Sequence, residues 1–299
     1  MSWVTSPKKC GFVALLGQPN AGKSTLLNAF LDTSLAAVSP KPQTTRFPIR
    51  GISVVQESQI VVVDTPGLLA KPQSRLEKSM IQAAQDAPFE ADVVLVVVDV
   101  TKSKKQLARA LAHIKGSRPR LWVALNKIDK IKKEELLTWA AAYDPEADRI
   151  FMISAAKKDG TKDLHHALAD AMPEGAWLFE DDMLTTLPER LWAAEITREV
   201  LLRMLGQELP HKLYVETEQF TKASRGFVRI HQVIHVAEKN HKKMILGRAG
   251  QMIKEISTRA RETMCERLGR KVHLFLYVRH TPLWEEKADF YRLVGLPFS

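Results

Sequence analysis

Gly17-Gln18-Pro19-Asn20-Ala21-Gly22-Lys23-Ser24 stands between an apolar run, Phe12-Val13-Ala14-Leu15-Leu16, and a segment opening Thr25-Leu26-Leu27-Asn28-Ala29-Phe30. The run reads as a buried strand and the following segment as the start of a helix. Strand, glycine turn and helix, with Gly-x4-Gly-Lys-Ser at the junction, is the phosphate-binding loop pattern. Gly17 and Gly22 permit backbone angles that a Cβ would obstruct. Backbone N–H groups then converge at the positive end of the helix. Lys23 can reach β- and γ-phosphates, and the Ser24 hydroxyl can ligate Mg²⁺.

Downstream, Ala36 to Pro48 holds three prolines and reads as an exposed, adaptable loop. A threonine there should complete a Mg²⁺ shell and order the loop only when a γ-phosphate is present. Thr45 is the first choice and Thr44 the second. A hairpin follows, Ile49 to Val55 and Gln59 to Val63. It ends in Asp64-Thr65-Pro66-Gly67. Asp64 can hold the metal, usually through water, and Gly67 can offer its N–H to the γ-phosphate. Arg75 to Ala87 reads as a helix stopped near Pro88. Ala91 to Val98, ending at Asp99, reads as a central parallel strand buried on both faces. Lys104 to Lys115 is expected to be helical.

Leu121 to Leu125 is another buried strand and ends in Asn126-Lys127-Ile128-Asp129. A carboxylate at Asp129 can accept from guanine N1–H and the exocyclic amine together, an arrangement adenine does not offer. Such a site discriminates by roughly 10⁴ or more in favourable cases. Asn126 would tie loops together, and the stem of Lys127 would lie over the ring. Helices are expected over Lys132 to Tyr143 and Thr161 to Met172, and a strand over Ile150 to Ile153. Ser154-Ala155-Ala156 follows that strand, small enough to bring a backbone N–H to the guanine oxygen.

The length of the chain suggests one large domain or two ordinary ones. The 299 residues are 45% hydrophobic and 26% charged, as in ordinary globular chains. The formal net charge of +10 favours an anionic partner, nucleic acid or acidic lipid. Cys10 and Cys265 are the only cysteines, too few for a disulfide framework or a cysteine zinc site. A reducing, cytoplasmic setting is the natural reading. The amino terminus lacks a signal-peptide core, and Val93 to Val98 is far short of the ~20 residues of a span. Peripheral contact with the inner membrane surface stays open, and a monomer is expected.

The boundary is placed near residue 180, after Pro173-Glu174-Gly175, giving domains 1–180 and 181–299. The second half reads α-β-β-α-α-β: a helix from Pro188 to Leu205, strands over Leu213 to Phe220 and Phe227 to Val236, two helical pieces about Gly247-Arg248-Ala249-Gly250, and a strand over Val272 to Val278. Residues 186–299 hold 20 Lys and Arg against 13 Asp and Glu. Between Lys222 and Gly250 seven basic residues face one acid, Glu238. The histidine spacings suggest no metal site.

Taken together, the Gly17-to-Ser24 loop, Thr45, Asp64-to-Gly67, Asn126-to-Asp129 and Ser154-Ala155-Ala156 resemble the translation-factor-like GTPases. Gly-x-Pro-Asn-x-Gly-Lys-Ser with Gln43-Thr44-Thr45-Arg46 resembles the Era subgroup. Ile245-Leu246-Gly-x-x-Gly-Gln-x-Ile253, in that order of elements, resembles a type II KH domain. The resemblance implies a P-loop NTPase G domain of α/β class, with a mostly parallel sheet flanked by helices, followed by an α+β KH domain. It implies binding of GTP and GDP over Gly17, Gln18, Pro19, Asn20, Ala21, Gly22, Lys23, Ser24, Thr25, Asp64, Thr65, Pro66, Gly67, Asn126, Lys127, Asp129, Ser154, Ala155 and Ala156. Lys23, Thr45 and Gly67 are the expected catalytic residues, and Ser24, Thr45 and Asp64 the expected magnesium ligands. In KH domains the glycine turn meets the nucleic-acid backbone beside a groove for about four single-stranded bases. RNA contacts are therefore expected from Arg225, Lys242, Lys243, Ile245, Gly247, Arg248, Ala249, Gly250, Ile253 and Lys254. The implied partner is the small ribosomal subunit, near the 3′ end of its rRNA, during assembly.

One position departs from many signalling GTPases, which carry a glutamine after the Asp-x-x-Gly glycine. Here it is Leu68, so hydrolysis should be slow and lean on backbone groups and cations. An asparagine matching Asn20 helps bind K⁺ in related GTPases, so K⁺ should accelerate hydrolysis over Na⁺. Two other readings remain. One is a signalling switch whose basic domain contacts a protein or membrane. The other is an RNA-modification GTPase, for which no separate reactive site stands out.

Overall fold

The computed structural model describes residues 7–68, 72–102, 120–143, 147–205, 212–223 and 226–298. The expected helix at Lys104 to Lys115, and Arg225, lie outside these residues. The chain divides into two compact units: Met1–Ala36 with Thr45–Thr186, and Ala37–Thr44 with Leu187–Phe298.

The first unit is built on a six-stranded sheet in the order β2-β3-β1-β4-β5-β6. Its strands are β1 (Lys9–Leu16), β2 (Ile49–Val55), β3 (Ser58–Asp64), β4 (Val93–Asp99), β5 (Arg120–Asn126) and β6 (Arg149–Ile153). β2 runs antiparallel to β3; all other pairings are parallel. Every residue of β4, Val-Val-Leu-Val-Val-Val-Asp, is buried, as a strand covered on both faces must be. The described helices are α1 (Lys23–Leu31), α2 (Arg75–Asp86), α3 (Lys133–Tyr143) and α4 (Thr161–Ala171). Pro88 does not simply end α2; the chain tightens there into a 3₁₀ turn, Ala87–Glu90, with the proline in its first turn.

Parallel strands end together, and the register sets what meets at that edge. Leu15 pairs with Asp64, Asp99 with Asn126, and Asn126 with Ile153. The turn after Leu16, Asp64, Asp99, Asn126 and Ser154 therefore all sit at the carboxyl edge of one sheet. That edge is where open α/β sheets bind ligands.

The second unit carries a three-stranded sheet, β7 (Leu213–Lys222), β8 (Phe227–Val236) and β9 (Lys271–His280), in that order. β7 and β8 are antiparallel, with an irregularity at Thr217/Gln219; β8 and β9 are parallel. Its helices are α5 (Glu189–Met204), α6 (Lys239–Leu246), α7 (Gln251–Leu268) and α8 (Ala288–Val294). The inner face of the sheet, including Val228, Ile230 and Ile234, packs with Leu201 of α5 and with Ile256, Ala260 and Met264 of α7.

One expectation is corrected here. Ala36 to Pro48 is expected to be an exposed loop; Pro40 and Pro42 are exposed, but Ala36, Ala37 and residues 44–47 are buried, and residues 37–44 pack on α5. α5 supplies partners for its backbone. Arg198 donates to the Thr44 carbonyl, Arg203 to the Val38 carbonyl at 3.3 Å, and Val38 N–H donates to Glu199 at 3.4 Å. Lys41 in turn donates to the Leu205 carbonyl.

Candidate functional site

At the junction of β1 and α1, Gly22 holds φ 102°, a left-handed conformation, and a Cβ there would lie 2.2 Å from Asn126 Nδ2. The turn therefore needs glycine twice over, for its bend and for the neighbour it touches. Lys23 is buried, and its ammonium donates to the carbonyls of Gly17 and Gln18 at 3.0 Å each. Burial pulls its pKa down to about 8, against the opposing charge of Asp64. A desolvated cation cradled by glycine-turn carbonyls can trade those contacts for phosphate oxygens. Gly67 lies against Pro19 so closely that a side chain there would collide, and Leu68 N–H donates to the Gly17 carbonyl at 3.1 Å. Thr65 is fully buried with its hydroxyl on the Leu15 carbonyl at 2.7 Å, so its side chain anchors the turn.

Ser24, Thr45 and Asp64 come together. Ser24 Oγ donates to Asp64 Oδ2 at 2.6 Å and lies 2.8 Å from Thr45 Oγ1, which is 3.2 Å from the same carboxylate oxygen. Asp64 is wholly buried, which pushes its carboxyl up, against the pull of Lys23, Ser24 and Thr45. Its other oxygen, Oδ1, is buried without a hydrogen-bond partner among the described residues. Two hydroxyls and an underused carboxylate form an all-oxygen set, which suits a hard cation such as Mg²⁺. Of the two candidate threonines, Thr45 joins this cluster. The Thr44 hydroxyl instead donates to the Lys41 carbonyl at 2.7 Å.

The base-recognition loop is tied to the phosphate turn by side chains. Asn126 Nδ2 donates to the Ala21 carbonyl at 2.8 Å, while Asn126 Oδ1 accepts from Lys127 N–H at 2.8 Å and Ala155 N–H at 2.9 Å. One side chain thus holds three loops in register. The Lys127 ammonium donates to the Asn20 carbonyl at 2.7 Å and to Asp99 at 2.6 Å. Asp99 also accepts from Thr101 N–H and Oγ1. Burial works against the Asp99 charge, but Lys127 and Thr101 outweigh it and hold its carboxyl below the usual range. Asp99 was not assigned a role from sequence; its part shows only through its partner Lys127. The Asp129 carboxylate accepts from Ser154 Oγ at 2.7 Å, which holds its pKa down. Only 17% of its side chain is accessible, and its other oxygen lies 3.9 Å from the Lys157 ammonium, so the carboxylate is held in place and stays charged as an acceptor. Ala156 is exposed beside it.

In the second unit Gly247 carries φ 70° and ψ −179°, and a Cβ there would lie 2.5 Å from Met252 Cβ. Ala249 is left-handed as well (φ 50°), so the turn is a tight knuckle between α6 and α7. Lys243, Arg248 and Lys254 are exposed, Lys242 and Ile253 partly so. Ile245 differs from the expectation: its side chain is fully buried in the core, unable to meet a ligand at the surface. Its neighbour Met244 is exposed instead.

Comparison with known proteins follows this geometry. The family described as "50S ribosome-binding GTPase" matches residues 12–127, and the KH domain family matches residues 208–282. The chain is 44% identical to GTPase Era of Dinoroseobacter shibae over 98% of this chain and 97% of that protein. It is 43% identical to GTPase Era of Agrobacterium fabrum over 98% and 93%. The chain belongs to the Era family of GTPases. Two solved Era structures align with it at TM-score 0.90 and 36% identity, covering 96% of this chain and 99% of each of theirs. One is an Aquifex aeolicus Era variant bound to GDP and AlF₄⁻; the other is Era in complex with MgGDPNP and nucleotides 1506–1542 of 16S ribosomal RNA. Era membership makes this chain a GTPase with a P-loop G domain and a carboxyl-terminal KH domain.

Proposed function

We propose that this chain binds GTP with Mg²⁺, hydrolyses it slowly, and couples its nucleotide state to single-stranded rRNA near the 3′ end of the small ribosomal subunit during assembly. The observation that carries the reading is the convergence of two clusters at one sheet edge. Ser24, Thr45 and Asp64 form a cation site, and Asn126, Lys127 and Asp129 form a base site. Ser24, Thr45 and Asp64 would hold Mg²⁺, which neutralises charge on the β- and γ-phosphate oxygens. Lys23 and the N–H groups of the glycine turn bind the phosphates. Gly67 N–H meets the γ-phosphate, and Asp129 accepts from guanine.

Leu68 cannot orient water, so the chain supplies no side-chain base at that position. Asn20 and the turn are the expected K⁺ ligands. Hydrolysis in KCl should exceed that in NaCl several-fold; equal rates would remove K⁺ from the account.

Coupling is supported by chain continuity. Thr45, in the cation cluster, directly follows residues 37–44, which pack on α5 of the KH unit. A change at Thr45 on γ-phosphate binding or loss therefore strains a segment anchored to that helix. By linkage, RNA must shift nucleotide affinity as nucleotide shifts RNA affinity. The basic glycine turn with Lys242, Lys243, Arg248 and Lys254 is the proposed RNA contact. The protein is expected to act as a cytoplasmic monomer, and its net positive charge also suits peripheral contact with an acidic inner membrane surface.

The test is RNA binding by the full chain with GDPNP and with GDP, using a 3′-terminal small-subunit rRNA oligonucleotide. Affinity should differ at least several-fold between the two states. Gly250→Asp has open space for its side chain and tolerates the left-handed angle, so it should fold yet lose RNA binding while keeping GTP. Equal affinity in both nucleotide states removes the coupling; unchanged affinity in Gly250→Asp removes the KH turn.

A further inference from the structure

The outer face of the KH-unit sheet divides into two parts. Toward the carboxyl ends of β8 and β9 it is covered by the chain's own tail. Tyr214 stacks on His235 at 4.3 Å and packs with Trp284 and Phe290 of the tail, at 4.8 and 5.1 Å between ring centroids. Toward the other end the face is bare. The outward positions of β9 there are Lys271, His273, Phe275 and Tyr277, all exposed, with Phe275 at 43% and Tyr277 at 56% of their full accessibility.

Across on β8 the paired positions are Phe227, Arg229, His231 and the buried Val233. His231 lies flat against Phe275, centroids 4.6 Å apart at 17°, and Phe227 meets His273 at 4.8 Å. The exposed positions of β8 and β9 here are thus rings and cations, flanked on β7 by the polar Gln219 and Thr221, with no exposed aliphatic side chain among them. A protein-docking patch ordinarily mixes aliphatic side chains with its aromatics. Neither Arg229 nor Lys271 has an acidic partner among the described residues; Arg279, further along, is paired with Glu218 at 3.2 Å. Successive same-face rings on a strand lie about 6.6 Å apart, a spacing that gives each ring its own base. Flat rings interleaved with unpaired cations are the chemistry of a single-stranded nucleic-acid platform.

We propose that this bare sheet face, centred on Phe275, Tyr277 and His231, is a second single-stranded RNA site. It stacks bases on its rings and holds phosphates with Arg229 and Lys271. It is distinct from the glycine turn, which lies between α6 and α7. The proposal rests on the RNA binding proposed above and extends the length of strand the KH unit engages.

The experiment uses the full-length protein and a fluorescein-labelled 20-nucleotide RNA copying the 3′ end of the small-subunit rRNA, read by anisotropy at 0.15 M KCl. Phe275→Ala with Tyr277→Ala should weaken binding at least about tenfold, whereas Tyr277→Phe, which keeps the ring, should bind as wild type. GTP hydrolysis without RNA should be unchanged, because these residues are far in sequence and unit from the nucleotide site. Arg229→Glu with Lys271→Glu, which spares the rings, should weaken binding as well and lower the salt dependence; it decides the matter if the double alanine variant fails to fold. Affinity within twofold of wild type in both double variants overturns the proposal. Absence of RNA binding by the wild-type protein overturns both this proposal and the functional reading beneath it.

Discussion

Two histidines show how residue environment sets the acid limit of this protein. His165 stacks on Phe30 at 4.5 Å with its Nε2 2.9 Å from Ser53 Oγ, and His235 sits under Tyr214. Burial pulls both down to about 4, aided by His166 for the first and Arg279 for the second. His235 also lies 3.0 Å from Glu216, which alone would favour the charged imidazole. Burial is the larger effect on His235, and burial pushes Glu216 up as well. Both folded-state values lie below the unfolded 6.5, so the unfolded chain binds more protons between pH 6.5 and 4. Stability is full above 6.5 and lost as pH falls toward 4, at most on the order of 3 kcal/mol per histidine. Urea unfolding at pH 7 and pH 4.5 should show that loss, and His235→Gln should remove part of the slope. An unchanged slope would place the charge elsewhere. The same scale explains what could be read early. Lys23, Asp64 and Asp129 could be singled out because the chemistry proposed for them demands those residue types at those offsets. Asp99 could not, because a carboxylate at a strand end has no signature until its partner Lys127 is seen 2.6 Å away.

Element by element, the apolar runs β1, β4 and β5 and the switch from period 2 to helical spacing located the strands and most helices. α5 was the harder case. Its apolar positions were legible, but it also buries Glu195, Thr197, Arg198 and Glu199. Those polar residues would ordinarily face water, and nothing local in the sequence shows that residues 37–44 bond Arg198 and Glu199 or that Gln232 meets Thr197. Arg198 Nε donates to Glu195 at 2.7 Å, both side chains nearly inaccessible. A buried pair costs little to replace whole and much to break. Arg198→Ala should therefore destabilise the protein by about 3–5 kcal/mol, by stranding Glu195 and freeing the Thr44 carbonyl. Arg198→Met with Glu195→Leu should cost much less. Denaturant midpoints decide it; equal losses in the two variants would mean the pair acts only through its packing.

Across the whole molecule, function follows from where strands end. Five parallel-strand termini bring the glycine turn, Asp64, Asp99, the Asn126-to-Asp129 loop and Ser154 to one edge, and sequence order alone could place them there once the strands were known. The packing of residues 37–44 and the bare aromatic sheet face needed coordinates, because both depend on long-range pairing that local periodicity does not encode. Everything downstream, RNA coupling included, presumes that the edge of the first sheet selects guanine. The direct measurement is calorimetric titration of the nucleotide-free protein with GTP and with ATP in Mg²⁺ and KCl, beside Asp129→Asn. Binding of GTP at least about 10³-fold tighter than ATP, with most of that preference lost in Asp129→Asn, is the expected result. Equal affinity for the two nucleotides, or a preference that survives the substitution, would contradict it.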